Sequence, residues 1–365
     1  MDDRGFYMWL GRINGMNIKR LYALMHYFGS EKDIYNADSR ELSNCVDSRF
    51  VSSFLKARKE FYPEQLEEDA EKCGVNYVTM FDKNFPEPLK TIDEIPIGLY
   101  YKGILPDKNS RLVSMIGSRR CTEYGRLAAM KISKELAENG VTVVSGLATG
   151  IDSYSNEGAL NAKGITGGIF GTAIDKIYPE ENRGLVERII DNGGFVMSEY
   201  GVGQKTFGHD FLRRNRLIAG ISEILVVVEA EIKSGTNTTV NDALNCGKSI
   251  YAVPGSIFSK FSEGTNALIR DGCTPLLDVQ DILLEMRIDN KKVKDSKKDG
   301  SVPDLKDVSE NGRKIVAALT DEGLDFDSIA SKTGIDGNIL RSELTILEIR
   351  KIIMKLPGQR YRPIL

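Results

Sequence analysis

"RLVSMIGSRRCTEYG", residues 111–125, decides the fold. Apolar residues fill most of 112–116 and run straight into Gly117. Ala128, Ile132 and Leu136 then recur at i, i+4 spacing in a segment, 122–139, that stops at "NG". A short buried strand, a glycine turn and an amphipathic helix form the repeating unit of an open α/β sheet. The unit recurs downstream. "VTVVSG" (141–146) reads as a strand followed by a helix opening at Asp152. "GITGGIFG" (164–171) is another strand, and 182–192 is a helix stopped by "NGG". "GFVMSE" (194–199), "EILVVVEA" (223–230) and "SIYAVPG" (249–255) are further strands, separated by helices near 211–220 and 236–246. This alternation predicts an α/β domain over about 110–287: a Rossmann-like, doubly wound parallel sheet with helices on both faces.

The flanks read differently. In "NIKRLYALMHYFGS" (17–30), Ile18, Leu21, Leu24, Met25 and Phe28 share one helical face and Gly29 closes the helix; Asp38 or Ser39 can cap the next. Residues 1–75 are therefore expected to be a small helical module. "VNYVTMFD" (75–82) and the end of a connector punctuated by prolines at 86, 88 and 96 read as strands leading into a main domain spanning 76–287. Residues 288–310 hold almost no apolar side chains and read as a flexible linker. Residues 311–365 predict short helices and a final β-hairpin, the pattern of a winged-helix domain.

Length and composition bound the function. A chain of 365 residues suits two or three domains, and 41% hydrophobic and 28% charged residues are ordinary for a soluble protein. With a formal net charge of -3, nucleic-acid binding has to come from a local basic patch. Five scattered cysteines without a C-x-x-C pair predict reduced thiols in the cytoplasm, and two histidines make a metal site unexpected. The N-terminus lacks a signal-peptide core, and no stretch reaches the roughly 20 apolar residues of a bilayer span, so no membrane role is expected.

Ligands of a doubly wound sheet bind beyond the C-terminal ends of its strands. Here those ends are rich in glycine or charge: "GSRRCTEYG" (117–125), "SGLATGID" (145–152), "GTAID" (171–175), "SEYGVG" (198–203), "EAEIKSGTNTTV" (229–240) and "PGSI" (254–257). Glycines let backbone N–H groups approach an anion, and helix N-termini add a positive dipole. The candidate phosphate contacts are Gly117, Ser118, Arg119, Ser145, Gly146, Gly171, Lys205, Ser234, Gly235 and Thr236. No G-x-G-x-x-G or G-x-x-x-x-G-K-[ST] is present, and Ser145 lacks a G-x-S-x-G elbow, so neither a nucleotide cofactor nor hydrolytic catalysis is expected.

"FLRRNRLIAG" (211–220) crowds three arginines around Asn215. On a helix, 213 and 216 share a face and 214 lies about 100° away. One of Arg213, Arg214 and Arg216 is expected to brace the fold against Glu199 or Asp152, and the others to reach phosphate as guanidinium forks. Phe211 can stack on a base, and stacking beside arginine suits single-strand recognition.

With these residues in place the chain resembles the DNA-processing protein A (DprA, or Smf) family. The resemblance rests on "SMIGSRRCTEYG", "VVSGLATGIDSYSNEGAL", "GTAIDKIYPEEN", "SEYGVG", "FLRRNRLIAGIS", "SGTNTTVNDAL" and "YAVPGS…EGTNALIRDG", in that order. It implies a non-catalytic, cytoplasmic protein that binds single-stranded DNA on an extended Rossmann-like domain. It also implies a homodimer formed through that domain that helps load the RecA recombinase during natural transformation. The N-terminal module would resemble sterile-alpha-motif or helix-hairpin-helix domains. By motif, Ser118, Arg119, Phe211, Arg214, Asn215 and Arg216 would line the pocket. Thr149 stands where the family pattern has arginine, Asn156 where histidine is common, and Leu212 where proline is usual. Two other classes compete: a nucleotide phosphoribohydrolase of a related Rossmann family, whose glutamate-bearing loop corresponds to "KSGTNTTVND" here, without that glutamate, and a winged-helix regulator that senses a ligand.

Overall fold

The computed structural model describes residues 4–288, 308–320, 323–349, 352–356 and 360–363. They form two compact units that divide at 289/290. Most of the expected linker, 289–307, lies outside the described residues.

The first unit opens with six helices: α1 (Arg4–Leu10), α2 (Ile18–Phe28), α3 (Glu31–Asn36), α4 (Ser39–Ser43), α5 (Ser48–Glu60) and α6 (Pro63–Lys72). Local capping chemistry sets their ends. Asn17 accepts from the Arg20 amide and Gly29 closes α2, while Asp38 and Glu41 form a reciprocal box at the start of α4. Nine strands follow: β1 (Asn76–Thr79), β2 (Gly98–Gly103), β3 (Leu112–Ile116), β4 (Thr142–Ser145), β5 (Thr166–Ile169), β6 (Phe195–Ser198), β7 (Ile224–Val227), β8 (Ser249–Ala252) and β9 (Thr274–Pro275). Between and after them run α7 (Glu123–Glu138), α8 (Ile151–Asn161), α9 (Arg183–Asp191), α10 (Gly208–Ile221), α11 (Thr236–Asn245), α12 (Glu263–Arg270) and α13 (Val279–Glu285).

The spatial order is β1-β2-β6-β5-β4-β3-β7-β8-β9. From β6 to β9 all neighbours are parallel, whereas β1 and β2 add antiparallel to the β6 edge. The sheet is therefore mixed, not wholly parallel. Alternate residues of each central strand enter opposite cores, as strands buried on both faces must. Val113 and Met115 pack with Ala129, Ile132 and Leu136 of α7. Leu112 and Ile116 join the cluster that contains Leu217 and Ile218 of α10. That second cluster runs without a break from Trp9, Leu24 and Phe54 to Phe195 and Met197, so no gap in the core marks residue 75.

The second unit consists of α14 (Glu310–Ala318), β10 (Leu324–Asp325), α15 (Phe326–Thr333), α16 (Gly337–Ile349), β11 (Ile353–Leu356) and β12 (Arg360–Pro363). Its antiparallel sheet has the order β10-β12-β11, and its core is built on Ile315, Ile329, Leu340, Leu344 and Leu347. No described helix is long and apolar enough to cross a membrane.

Candidate functional site

Strand β3 pairs with β4 on one side and β7 on the other, so the winding reverses there and a crevice opens beyond the strand ends. A cavity of about 420 Å³ occupies it. Its walls come from the loop after β3 (Gly117, Ser118, Arg119), the loop after β4 with the start of α8 (Ala148, Asp152), the inner face of α10, and the loop after β7 (Lys233, Ser234, Gly235). Helix α11 begins at Thr236 on the same wall and turns the positive end of its dipole toward any anion in the cavity.

The arginine cluster divides by orientation. Arg214 points inward and is only 5% exposed. Its Nη1 donates to the carbonyls of Gly146 (2.8 Å) and Ile169, tying α10 to the ends of β4 and β5. Asp152 lies beside it and accepts from the amides of Gly146 (3.1 Å) and Ala148 (3.4 Å). Burial pushes the Asp152 carboxyl above its ordinary range, against the pull of Arg214 and of those amides. Burial likewise lowers Arg214 to about 10, with Asp152 opposing the shift and Arg119 adding to it. Gly146 is the only residue type that fits between them, because a β-carbon there would sit 2.7 Å from Asp152 Oδ2 and 2.8 Å from Arg214 Nη2.

Arg216 faces away from the cavity. It grips Glu199 with both ends of its fork, Nη1 to Oε2 at 2.6 Å and Nη2 to Oε1 at 2.7 Å, and its Nε donates to Glu94 O. Burial alone would lower the pKa of Arg216, but Glu199 outweighs it and the net shift is upward. Arg213 shares that face, as the helical spacing requires, but is exposed and stands 3.7 Å from Glu94. The expectation of one brace is thus corrected to two. Arg214 and Arg216 hold the fold, because each guanidinium is consumed by acceptors of the protein itself. Asn215 lines the cavity and accepts from Arg214 Nε at 3.3 Å.

Several other expected contacts are also structural. Ser145 is fully buried beneath the cavity, so its side chain cannot meet a ligand. Gly146 and Gly171 are buried as well; a β-carbon on Gly171 would lie 2.8 Å from the Phe211 ring and 3.0 Å from its Cα. Gly171 therefore seats the start of α10 and does not approach an anion. Lys205 is exposed on the loop after β6, outside the cavity lining. Asn156 is buried and donates to Thr166 Oγ1 and Gly167 O.

What remains facing the cavity uncommitted is Arg119 and Lys233, exposed and without a hydrogen-bond or ion-pair partner among the described residues. Sequence reading found Arg119 but missed Lys233, although it immediately precedes the Ser-Gly-Thr turn that was singled out. It also missed Glu229. This buried carboxylate accepts from Thr122 N (2.8 Å) and Thr122 Oγ1 (2.6 Å), while its carbonyl takes the Ser118 amide (2.8 Å). Glu229 thereby fixes the loop that carries Arg119. Among the described residues no group of three His, Cys, Asp or Glu side chains is placed to hold a metal ion.

Comparison with known proteins shows the family of the chain. The family model described as DNA recombination-mediator protein A matches residues 76–287. Protein Smf of Synechocystis is 28% identical over 99% of this chain and 99% of its own. The X-ray structure of DNA processing protein A from Streptococcus pneumoniae superposes with a TM-score of 0.68 at 30% identity, covering 78% of this chain and 99% of that one. The Helicobacter pylori protein, whose structure is described in terms of a single-stranded DNA binding mode, aligns with a TM-score of 0.51 at 29% identity over 58% of this chain and 95% of that one. The chain belongs to the DNA recombination-mediator protein A family.

Proposed function

We propose that this member of the family binds single-stranded DNA without catalysis and holds its phosphates in the crevice between β3, β4 and β7. The observation that carries the reading is the pair of uncommitted cations, Arg119 and Lys233, that line one cavity together with the α11 N-terminus. A phosphate placed there gains two charge-assisted contacts and a helix dipole, and no buried ion pair has to break. Phe211 stands at the cavity edge as a ring for a base. The Helicobacter pylori relative's binding of single-stranded DNA supports the same ligand class.

The wider reading follows from the family. The chain would act in the cytoplasm in DNA uptake and recombination, assemble as a homodimer through the sheet-bearing unit, and help RecA load on the strand. The six N-terminal helices would serve as a sterile-alpha-motif or helix-hairpin-helix-like module. The second unit would be a winged helix joined by a linker over 288–310.

Fluorescence anisotropy with labelled single- and double-stranded oligonucleotides across a salt series tests the central claim. Preference for the single strand is expected. The log–log salt slope should fall by about 0.7 for each of Arg119→Ala and Lys233→Ala. Equal affinity for duplex, or slopes unchanged in both variants, would refute it. Steady release of free base from AMP would instead favour the phosphoribohydrolase reading.

A further inference from the structure

Phe211 lines the cavity and also touches a group of exposed rings that the phosphate site does not use. Tyr178 packs edge-on against Phe211, with ring centroids 5.6 Å apart and planes at 66°, yet remains 53% exposed. Phe207, 62% exposed, lies nearly parallel to the His209 ring at 10° with centroids 5.8 Å apart. Tyr178 and Phe207 rise from the loops after β5 and β6 and His209 from the first turn of α10; the two loops are joined, as Ser198 Oγ donates to Thr172 O at 2.6 Å and the Gly203 amide donates to Asp175. The backbone beneath is anchored at Tyr200, whose hydroxyl donates to Asp210 at 2.9 Å, while Asp210 also accepts from the Phe207 amide. Large exposed rings on a firmly held base are costly to leave in water and suit a flat apolar ligand.

The charges nearby are mixed, with the exposed acid Glu181 among them. Lys176 and Lys205 are exposed and have no ion-pair partner among the described residues. Of the acids, Asp175 is occupied by the Gly203 amide and Glu180 pairs with Arg183 at 3.4 Å. Neighbouring strands lie about 4.8 Å apart, so the path from β3 over β4 and β5 to β6 is about 14 Å long.

We propose that Tyr178 and the Phe207–His209 pair form a base-stacking track that continues the strand's path from the cavity across the ends of β5 and β6, so that bases as well as phosphates contribute to binding. The inference rests on the single-strand reading of the cavity. Stacking tolerates any base, because every base offers a π face, and it contributes a factor of about five or more per base.

The test uses the full chain, labelled dT20, and a 20-mer of the same phosphate count in which abasic positions replace most thymidines. Wild type should prefer dT20 by at least about fivefold. Tyr178→Ala/Phe207→Ala should lose most of that preference, Phe211 keeping the remainder, and should keep the salt slope. Phe207→Leu, which keeps apolar bulk without a ring, should lose part of it, and an unchanged unfolding midpoint by Trp9 fluorescence excludes misfolding as the cause. Undiminished preference for dT20 in the double variant overturns the track while leaving the phosphate site standing. The same holds if that variant instead lowers the sedimenting mass, which would make the patch a self-association surface. Failure of wild type to bind either oligonucleotide overturns both readings.

Discussion

Replacing Arg214 with methionine separates a structural arginine from a ligand-binding one. The guanidinium is 5% exposed and donates to the carbonyls of Gly146 and Ile169, and its removal leaves Asp152 buried without a countercharge. Breaking one side of a buried charge arrangement costs about 3–5 kcal/mol, a figure that already includes the lost carbonyl contacts. Urea unfolding can be followed through Trp9, the sole tryptophan, which is fully buried in the same unit. With an m of about 3 kcal/mol/M, the midpoint should fall by about 1–1.7 M. The loss should shrink as the pH falls below neutrality. In the native state Asp152 titrates above its ordinary value, and more so without Arg214, so the native state takes up a proton before the unfolded chain does and gains stability on acidification. Asp152→Asn introduced beside Arg214→Met should recover part of the loss by the same logic. Arg119→Ala, by contrast, should leave the midpoint within about 0.5 kcal/mol of wild type while flattening the salt dependence of oligonucleotide binding. An Arg214→Met protein that unfolds at the wild-type midpoint but loses salt dependence would refute the reasoning and make Arg214 the phosphate ligand.

Three further outcomes are expected. Glu199→Gln leaves Arg216 buried with a neutral partner and should cost about 2 kcal/mol in the Trp9-detected transition, without creating or abolishing any release of base from AMP. Gly171→Ala drives a β-carbon into Phe211 and should both destabilise the fold, by about 1–3 kcal/mol, and weaken single-strand affinity; unaltered binding at reduced stability would detach Phe211 from the ligand. Deleting residues 303–365 should leave oligonucleotide affinity within about threefold, roughly 0.7 kcal/mol, because the "TDEGLDFDSIA" region (320–330) is acidic and repels phosphate; a tenfold loss would make the second unit a DNA reader.

Much of this protein follows from local pattern. Apolar runs at 112–116, 142–145, 224–227 and 249–252 separated by helical periodicity specify buried strands and their covering helices, because burial on both faces leaves its mark residue by residue. The glycine-rich loops then locate the ligand end of the sheet, since only strand C-termini at a reversal of winding leave a crevice. The short helices α12 and α13 escaped this reading, as their segments are too brief for periodicity to stand out. Tertiary structure alone decided the rest. The antiparallel attachment of β1 and β2 to β6 depends on pairing between segments about a hundred residues apart. The roles within "RRNR" depend on which acceptors lie across from each side chain. Gly146 O and Ile169 O consume Arg214, and Glu199 consumes Arg216. Arg119 and Lys233, which carry the same charge in less conspicuous surroundings, meet no acceptor among the described residues and stay free for a ligand. The sequence by itself determined how many positive charges the crevice region holds. Only the packed structure decided which of them face water, because a guanidinium's availability is set by the carbonyls and carboxylates that folding brings to it from other strands.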